Sequence, residues 1–332
     1  MKVWNNDDAS LEPLAGKTAA ILGYGNQGRA QALNLRDSGV EVIIGNRDDE
    51  YRTQAKEDGF APLTILEAAE AADLLFILTT DESQPLIWEK QIFPALRSGK
   101  TLVWASGYNV AYDLVALPQE VDVVMVAPRM TGNMVRELFV QGKGAVAQGA
   151  VHQDASGNAE ALMLAVAKGI GCTRGGVFES SFREEAELDL FAEQVIWAGL
   201  TAWFVECFEI GVESGFSPEL MALELYASGE ASEILGAMAQ NGFYKQMAHH
   251  STTSQYGTLS RGPDLINDEM RKKARHNLYE DVKGGKFAQE WSKEQANNSS
   301  KLNALRTAAL NHPMSKAEEA VIALVQKAHS LE

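Results

Sequence analysis

Residues 17–35 read KTAAILGYGNQGRAQALNL, an apolar run that ends in the pattern G-x-G-x-x-G and continues as a helical pattern. In such a pattern Gly23 permits a tight turn, Gly25 lets the backbone approach a pyrophosphate, and Gly28 lets the helix pack close to the strand. The first turn of the helix offers unpaired N–H groups to the phosphates. The stretch therefore predicts a strand, a turn and a helix that together bind a dinucleotide.

The surrounding sequence supports this prediction. A second apolar run, residues 40–45, follows at the spacing of a second parallel strand, and charged residues come directly after it, where the adenosine ribose would lie. We predict a cofactor site formed by Gly23, Tyr24, Gly25, Asn26, Gln27, Gly28, Arg47, Asp49, Glu50, Thr79, Ser106 and Gly107.

The composition is typical of a globular protein with two domains. The chain has 332 residues, of which 45% are apolar and 22% are charged. Its formal net charge of −16 disfavours binding to nucleic acid and to anionic membranes. Residues 1–8 lack the basic start and apolar core of a signal peptide, and no apolar run approaches the length of a membrane span. We therefore predict a cytoplasmic protein with no nucleic-acid or membrane partner.

The sequence pattern differs between the two halves of the chain. Up to about residue 150, apolar strand-like runs at 73–78, 101–105 and 121–128 alternate with helical stretches, which predicts a parallel sheet covered on both faces. After residue 180 the pattern is helical throughout, with helices expected near 184–212, 217–240, 265–283 and 314–329. The predicted fold is an α/β Rossmann domain over residues 1–180, followed by an all-helical domain over residues 181–332.

Several further stretches carry a resemblance to a known family. They include MKVW at 1–4, the block 23–45, VHQDASG at 151–157, FREE at 182–185, DLFAEQ at 189–194 and FAQEW at 287–291. With these stretches the chain resembles the class I ketol-acid reductoisomerases, also called acetohydroxyacid isomeroreductases, over nearly its whole length. The resemblance implies that the helical domain is knotted. It also implies a homodimer in which two chains pair through that domain and complete each active site for a small-molecule substrate.

In that family two magnesium ions clamp the substrate oxygens and drive an alkyl migration in a 2-hydroxy-2-acyl acid, and a nicotinamide cofactor then reduces the new ketone. Asp189 and Glu193, four residues apart, share one face of a predicted helix, as oxygen ligands of a hard cation must. By position the resemblance makes Asp189 the bridging ligand, Glu193 its neighbour and Glu224 a third ligand that comes from the partner chain.

The chain departs from the family pattern at the site itself. Ser228 stands where the family has a second glutamate, four residues after Glu224, and Ser106 replaces a histidine. Glu230 would lie about 240° round a continuous helix from Glu224 and would not substitute for the missing ligand. Arg129 replaces a lysine, and it is a permanently charged planar group that cannot act as a tunable acid.

The substrate end is also changed. His249 and His250 precede Ser251, which aligns with the family's substrate-contacting serine, and a histidine there could supply a proton or bind substrate; ordinary surface histidines are the other interpretation. The predicted catalytic residues are Arg129, Asp189, Glu193, His250 and Ser251.

The loop after the second strand bears on cofactor choice. It carries Asp48, Asp49 and Glu50 where NADPH-using relatives have serines, and these carboxylates favour NADH. Arg47 and Arg52 leave NADPH open, because an arginine can pair with a 2′-phosphate.

The altered positions shape the functional hypotheses. Our main hypothesis is an NAD(P)H-dependent reductase of a small polar C=O or C=N substrate, a 2-oxo acid, ketol or imine, with weak magnesium binding and no efficient alkyl migration. The first alternative is a genuine magnesium-dependent ketol-acid reductoisomerase of branched-chain amino acid biosynthesis. The second is a non-catalytic dinucleotide-binding protein.

Overall fold

The computed structural model of the chain describes residues 1–329. Its internal contacts divide the chain into two compact units, of which the first ends at Asp189 and the second begins at Leu190. The first unit holds a sheet and its covering helices, and the described part of the second is built from helices. The Rossmann fold and the helical character of the C-terminal half are confirmed, and the boundary after residue 180 stays a prediction.

The sheet of the first unit has eight strands in the order β1-β8-β7-β6-β5-β4-β2-β3. The strands are β1 (Val3–Trp4), β2 (Thr18–Leu22), β3 (Glu41–Gly45), β4 (Leu74–Ile77), β5 (Thr101–Trp104), β6 (Asp122–Pro128), β7 (Ala147–Gln153) and β8 (Val177–Glu179). Strands β2 to β6 pair in parallel, as predicted. The strands outside this predicted set make the sheet mixed, because β7 runs antiparallel to β6 and β1 runs antiparallel to β8. Strands β1 and β8 are short and β7 is partly polar, so their pattern is weak in the sequence.

Helices cover both faces of this sheet. They are α1 (Asn26–Asp37), α2 (Glu50–Glu57), α3 (Ile65–Ala71), α4 (Gln84–Ile87), α5 (Tyr108–Ala111), α6 (Gly132–Val140), α7 (Ala159–Gly169) and α8 (Phe182–Phe191), which runs into the second unit. Along β2, Ala19 and Ile21 belong to one hydrophobic core, and Ala20 and Leu22 belong to the other. Burial of alternate residues on opposite faces explains why the central strands read as continuous apolar runs.

The second unit contains further helices. They are α9 (Ala198–Glu213), α10 (Pro218–Ala222), α11 (Glu230–Asn241), α12 (Thr252–Leu265), α13 (Asp268–His276), α14 (Lys286–Ala296), α15 (Ser300–Leu310) and α16 (Pro313–His329). Three wider π-helical turns, Ala192–Trp197, Leu223–Ala227 and Asn277–Val282, extend them. The sequence analysis did not predict α12, α14 or α15.

The helix predicted over 217–240 is interrupted. Gly229 takes a left-handed conformation with φ of +88°, which ends the π-helical turn and lets α11 begin at Glu230. The argument that Glu230 lies far round one continuous helix from Glu224 is therefore wrong. Glu230 instead stands in the first turn of a separate helix.

The helical stretch Phe182–Glu213 corrects another expectation. It has 32 residues and is long and apolar enough to cross a membrane, by length and composition only, and just 11% of its most apolar window is buried. The sequence analysis had found no apolar run of such length. A single helix of this kind is weak evidence for a membrane span, and an exposed apolar helix equally suits contact with another protein chain.

Candidate active site

Each glycine of the G-x-G-x-x-G turn has a different structural role. Gly23 has φ of +100°, and a Cβ atom there would lie 2.7 Å from the backbone nitrogen of Thr79. A Cβ atom at Gly28 would lie 1.9 Å from the carbonyl oxygen of Gly23, so α1 can approach β2 only with glycine at this position. A Cβ atom at Gly25 would meet no protein atom within 4 Å. The space beside Gly25 is where a pyrophosphate would lie against the start of α1.

A crevice of about 240 Å³ opens at the carboxyl ends of β2, β3 and β4. It is lined by Gly23, Tyr24, Gly25, Asn46, Arg47, Asp49, Tyr51, Ile65, Leu78, Thr79, Thr80, Ser83, Ile87 and Gln91. In an open α/β sheet this edge is where ligands bind. Six of the predicted cofactor residues are thus brought together, namely Gly23, Tyr24, Gly25, Arg47, Asp49 and Thr79.

Three neighbouring predicted residues are engaged within the protein. The Tyr24 side chain is buried, and its hydroxyl donates to Asp58 at 3.0 Å. Gln27 donates to the carbonyl of Met130 at 2.8 Å, and the backbone of Asn26 lies against Gly132. The side chains of Tyr24 and Gln27 therefore support the turn through hydrogen bonds within the protein.

The loop after β3 is organised around Asp49. Its carboxylate caps α2, accepting from the backbone N–H groups of Tyr51 and Arg52, and it also accepts from Asn46 at 2.7 Å and from Arg47 at 2.6 Å. Burial alone would raise the pKa of Asp49, but the hydrogen bond from Arg47 and those from Arg52 and Asn46 outweigh it and hold the pKa below its usual value. The loop thus keeps Asp49 ionised and engages Arg47 in an ion pair with it. Glu50 follows as the first residue of α2.

Arg52 is committed to the backbone. Its guanidinium donates to the carbonyl oxygens of Asn46, Leu63 and Pro62 at 2.8 to 3.1 Å. A guanidinium held by three carbonyls cannot turn toward a 2′-phosphate without losing those bonds. A role for Arg52 in binding NADPH stays a prediction, as does the same role for Arg47.

A polar network that the sequence analysis missed fixes the segments after β4 and β5. Gln84 donates to the carbonyl of Thr79 at 3.0 Å and accepts from Trp104 and Asn109, each at 3.0 Å. Asn109 also donates to Asp81 at 3.1 Å. These bonds connect the end of β4 with the end of β5, next to Ser106 and Gly107.

Glu185 is another residue that was not predicted from the sequence. Its side chain is 2% exposed, and it accepts from the Gly107 N–H at 2.6 Å and from Arg129 at 2.9 Å. A Cβ atom at Gly107 would lie 2.0 Å from the carbonyl of Phe182, so the turn after β5 packs directly on α8. Burial raises the pKa of Glu185 to about 7, although the Gly107 N–H and the Arg129 guanidinium oppose this rise. A direct role of Gly107 in cofactor binding stays a prediction.

Arg129 spans two carboxylates of α8. One of its amino groups donates to Glu185, and the other forms an ion pair with Asp189. Burial would lower the pKa of Arg129, but the pairing with Asp189 and Glu185 outweighs it and raises that pKa. The structure thus brings together two predicted catalytic residues, Arg129 and Asp189, around a third that was not predicted.

The remaining predicted site residues lie in the second unit. Ser251 caps α12, because its hydroxyl accepts from the N–H of Ser254 at 3.2 Å. The imidazole of His250 is 2.8 Å from the buried side-chain oxygen of Gln246. Both residues line a groove of about 570 Å³, with Glu230, Glu233 and His249 among its other lining residues. The groove gives the serine and the histidine a common surface.

Glu193 and Glu224 share an unusual local structure. Glu193 belongs to the π-helical turn Ala192–Trp197, and Glu224 belongs to the turn Leu223–Ala227. Such turns widen a helix by one residue and are frequent at functional sites. The prediction that Asp189 and Glu193 share one helix face assumed the α-helical angle between successive residues. A π-helical turn changes that angle, so the spacing of four residues does not by itself place the two carboxylates on one face.

The fold and the crevice define the class of the protein, one with a Rossmann dinucleotide-binding domain. The sequence comparisons then give the family. Residues 13–176 match the sequence model described as "Acetohydroxy acid isomeroreductase, NADPH-binding domain", and residues 182–327 match "Ketol-acid reductoisomerase, C-terminal domain". The chain belongs to the ketol-acid reductoisomerase family.

Individual relatives agree with this assignment. The chain is 45% identical to "Ketol-acid reductoisomerase (NADP(+))" of Pyrobaculum neutrophilum over 318 residues, which cover 95% of this chain and 96% of the relative. It is also 45% identical to "Putative ketol-acid reductoisomerase 3" of Saccharolobus solfataricus, and the match covers 96% of this chain and 97% of the relative. Among solved structures, an NADH-preferring ketol-acid reductoisomerase from an uncultured archaeon matches with a TM-score of 0.92 and 36% identity, over 98% of this chain and 99% of the other.

These relatives bear on the functional hypotheses. They confirm an enzyme of the oxidoreductase class, and they favour the first alternative, ketol-acid reductoisomerase, over our main hypothesis of a reductase without alkyl migration. They give no support to a non-catalytic dinucleotide-binding protein.

Proposed function

We propose that this chain is a ketol-acid reductoisomerase, which isomerises a 2-hydroxy-2-acyl acid and reduces the product with a nicotinamide cofactor. The observation that carries the proposal is identity of 43–45% to curated proteins of that name over nearly the whole of both chains. The site is compatible with it, because the dinucleotide turn, Asp189, Glu193, Glu224 and Ser251 are all present.

The first unit fits a nicotinamide dinucleotide. No protein atom lies within 4 Å of a Cβ atom placed at Gly25, and the crevice continues from this space along the ends of β3 and β4. The α1 N–H groups would hold the pyrophosphate, and the network of Gln84 and Asn109 would support the floor of the crevice near Thr79. The bound cofactor would supply hydride to the substrate carbonyl.

The carboxylates fit a hard divalent cation in their chemistry. Asp189, Glu193 and the partner's Glu224 are oxygen donors of the type that magnesium takes, and a bound cation would polarise the substrate oxygens. Ser228 contributes a neutral hydroxyl in place of a fourth carboxylate. We propose these three residues as the cation site, with weaker binding than in family members that carry the additional glutamate.

The chain's own groups would orient the substrate. Arg129 would face an anionic substrate with a permanent positive charge that Glu185 holds in place at 2.9 Å. Ser251 would offer its hydroxyl to a substrate oxygen, and His250, fixed by Gln246, would carry or release a proton beside it. These roles of Arg129, Ser251 and His250 are proposals for catalysis.

The decisive experiment is turnover of 2-acetolactate. We expect the purified protein to convert it to the dihydroxy acid with oxidation of NADH or NADPH, and we expect this reaction to require Mg²⁺. Cofactor oxidation is followed by absorbance and the product by mass spectrometry, with EDTA as the metal-free control. Absence of the dihydroxy acid at saturating Mg²⁺ would contradict the proposed function.

A reductase without alkyl migration is the second candidate. It is favoured by Ser228 and by the ion pair between Arg129 and Asp189, since both reduce the negative charge available to two metal ions. The two candidates separate in the same assay. Oxidation of cofactor with a 2-oxo acid, a ketol or an imine, but not with 2-acetolactate, would favour this second candidate.

We further propose a preference for NADH over NADPH, because Asp49 holds the loop charge negative and pairs with Arg47. We expect NADH to bind about tenfold more tightly than NADPH, measured by fluorescence titration. In Asp49→Ser the new residue still caps α2, while Arg47 becomes available, so NADPH affinity should rise. Tighter binding of NADPH by the unaltered protein would overturn the preference.

The exposed apolar helix supports a homodimer. Trp203 and Ile210 of α9 lie seven residues apart and are 47% and 55% exposed, as is much of the apolar surface of this unit. Large apolar side chains that recur exposed on one helix are typical of a protein–protein interface. We propose that a second copy of the chain covers it, that each copy contributes Glu224 to the other's site, and that the dimer resides in the cytoplasm. The knotted path of the helical domain belongs to the same proposal.

A further inference from the structure

A permanent positive charge lies on one of the carboxylates proposed to hold the cation. The guanidinium of Arg129 forms an ion pair with Asp189, and its other amino group is held by Glu185 at 2.9 Å. A guanidinium cannot lose its proton at neutral pH, so this charge is always present. A divalent cation that approaches Asp189 therefore meets a residue whose charge is already neutralised.

The main chain around Arg129 is fixed on both sides. The Arg129 N–H donates to the carbonyl of Val146 at 2.8 Å, and the next carbonyl, that of Met130, accepts from Gln27 at 2.8 Å. Gly132 packs so closely on Asn26 that a Cβ atom would lie 2.0 Å from the Asn26 carbonyl oxygen. Release of Asp189 by Arg129 therefore needs only a rotation of the side chain, without movement of the loop that carries Arg129.

The second carboxylate gives that side chain a place to remain. Glu185 is almost completely buried and is itself anchored by the Gly107 N–H at 2.6 Å. If Arg129 releases Asp189, its guanidinium keeps the hydrogen bond to Glu185 at 2.9 Å, so the release does not leave the cation without a partner in a partly buried position. The amino group of Arg129 that pairs with Asp189 is then free on the solvent-exposed side of the pair, where the Asp189 side chain is 38% exposed.

We propose that Arg129 is a built-in counter-ion of Asp189 that a divalent cation must displace, and that it thereby sets the cation affinity of the site. The released amino group becomes available to the carboxylate of an anionic substrate, so that cation binding prepares the site for substrate. This inference rests on the proposed function only in taking Asp189 as a cation ligand.

The test measures cation binding and does not depend on turnover. Mg²⁺ binding is followed by calorimetry, and Mn²⁺ binding by electron paramagnetic resonance, on the full-length protein without substrate. We expect Arg129→Met to bind either ion about tenfold more tightly, because Asp189 regains its full charge. Arg129→Lys should be intermediate, because an ammonium is a point charge without the fork that spans two carboxylates.

Arg97→Met is the matched control, since it also removes one positive charge from the first unit. Arg97 is exposed, and it donates only to the carbonyl of Glu70, at 3.3 Å. We expect its cation affinity to equal that of the unaltered protein. Unchanged or weaker binding in Arg129→Met, with thermal unfolding preserved, would overturn the proposal.

A direct observation keeps the proposal testable if Arg129→Met does not fold. The Nε–H signal of Arg129, assigned in ¹⁵N-labelled protein by comparison with Arg129→Lys, should shift as Mg²⁺ is added to the unaltered protein. A signal that stays in place at saturating Mg²⁺ would mean that the cation does not displace the guanidinium. Failure of 2-acetolactate turnover with these binding results intact would instead count against the proposed function alone.

Discussion

Replacing Gly25 with valine is expected to abolish dinucleotide binding while leaving the fold nearly unchanged. The backbone at Gly25 has φ of −75° and ψ of −157°, which valine can adopt, and a Cβ atom there would touch no protein atom. The new side chain would instead fill the space of the pyrophosphate. We expect a loss of affinity of at least about 100-fold, with a cost in stability of about 1 kcal/mol from the poorer helix cap.

Titration of NADH fluorescence and a thermal unfolding scan measure these two effects separately. Gly28→Ala provides the contrast, because its Cβ atom would lie 1.9 Å from the Gly23 carbonyl and must displace backbone. In that variant we expect binding and thermal stability to fall together. If Gly25→Val binds NADH with undiminished affinity, the crevice beside Gly25 is not the pyrophosphate site.

The dinucleotide-binding half of the fold could be predicted from the sequence because its signals are local. The strand, turn and first helix follow one another within residues 17–37, and the buried strands β4, β5 and β6 are continuous apolar runs. Strand β1, at one edge of the sheet, and strand β8, next to it, have two and three residues, which is too short to show a pattern. Their place depends on pairing with each other across the length of the first unit.

Glu185 was missed for a different reason. Its partners Gly107 and Arg129 are 78 and 56 residues away in the sequence, so only the folded chain brings them together. The sequence places Glu185 in an acidic helical stretch, where a solvated surface position is the ordinary expectation. The signal that could have found it is its spacing of four residues from Asp189, which puts both carboxylates on one side of α8.

The helical half was predicted less completely because its pattern is irregular. Helix α12 includes Gly257, Gly262 and Pro263, residues that usually interrupt helices. The π-helical turns at Glu193 and Glu224 do not follow the period of 3.6 residues on which the prediction relied. The exposed apolar residues of α9 would also be misread as core if the chain were considered alone.

That exposed surface leads to the prediction with the second large effect, the recovery of activity in a mixed dimer. We expect Asp189→Asn and Glu224→Gln each to abolish 2-acetolactate turnover when every chain carries the same change, because each removes a carboxylate from the proposed cation site. If Glu224 acts across the dimer, a mixed dimer has one site in which both residues are altered and one in which both are intact.

Co-expression with two different affinity tags isolates the mixed dimer, and turnover is compared with the unaltered protein. We expect the mixed dimer to recover about half of the normal rate, because one of its two sites is complete, whereas random mixing without purification should give about a quarter. The control is a dimer in which both differently tagged chains carry Asp189→Asn. This dimer should stay inactive. A purified mixed dimer without activity would show that Glu224 does not serve the partner's site, since every site would then retain one altered carboxylate within its own chain.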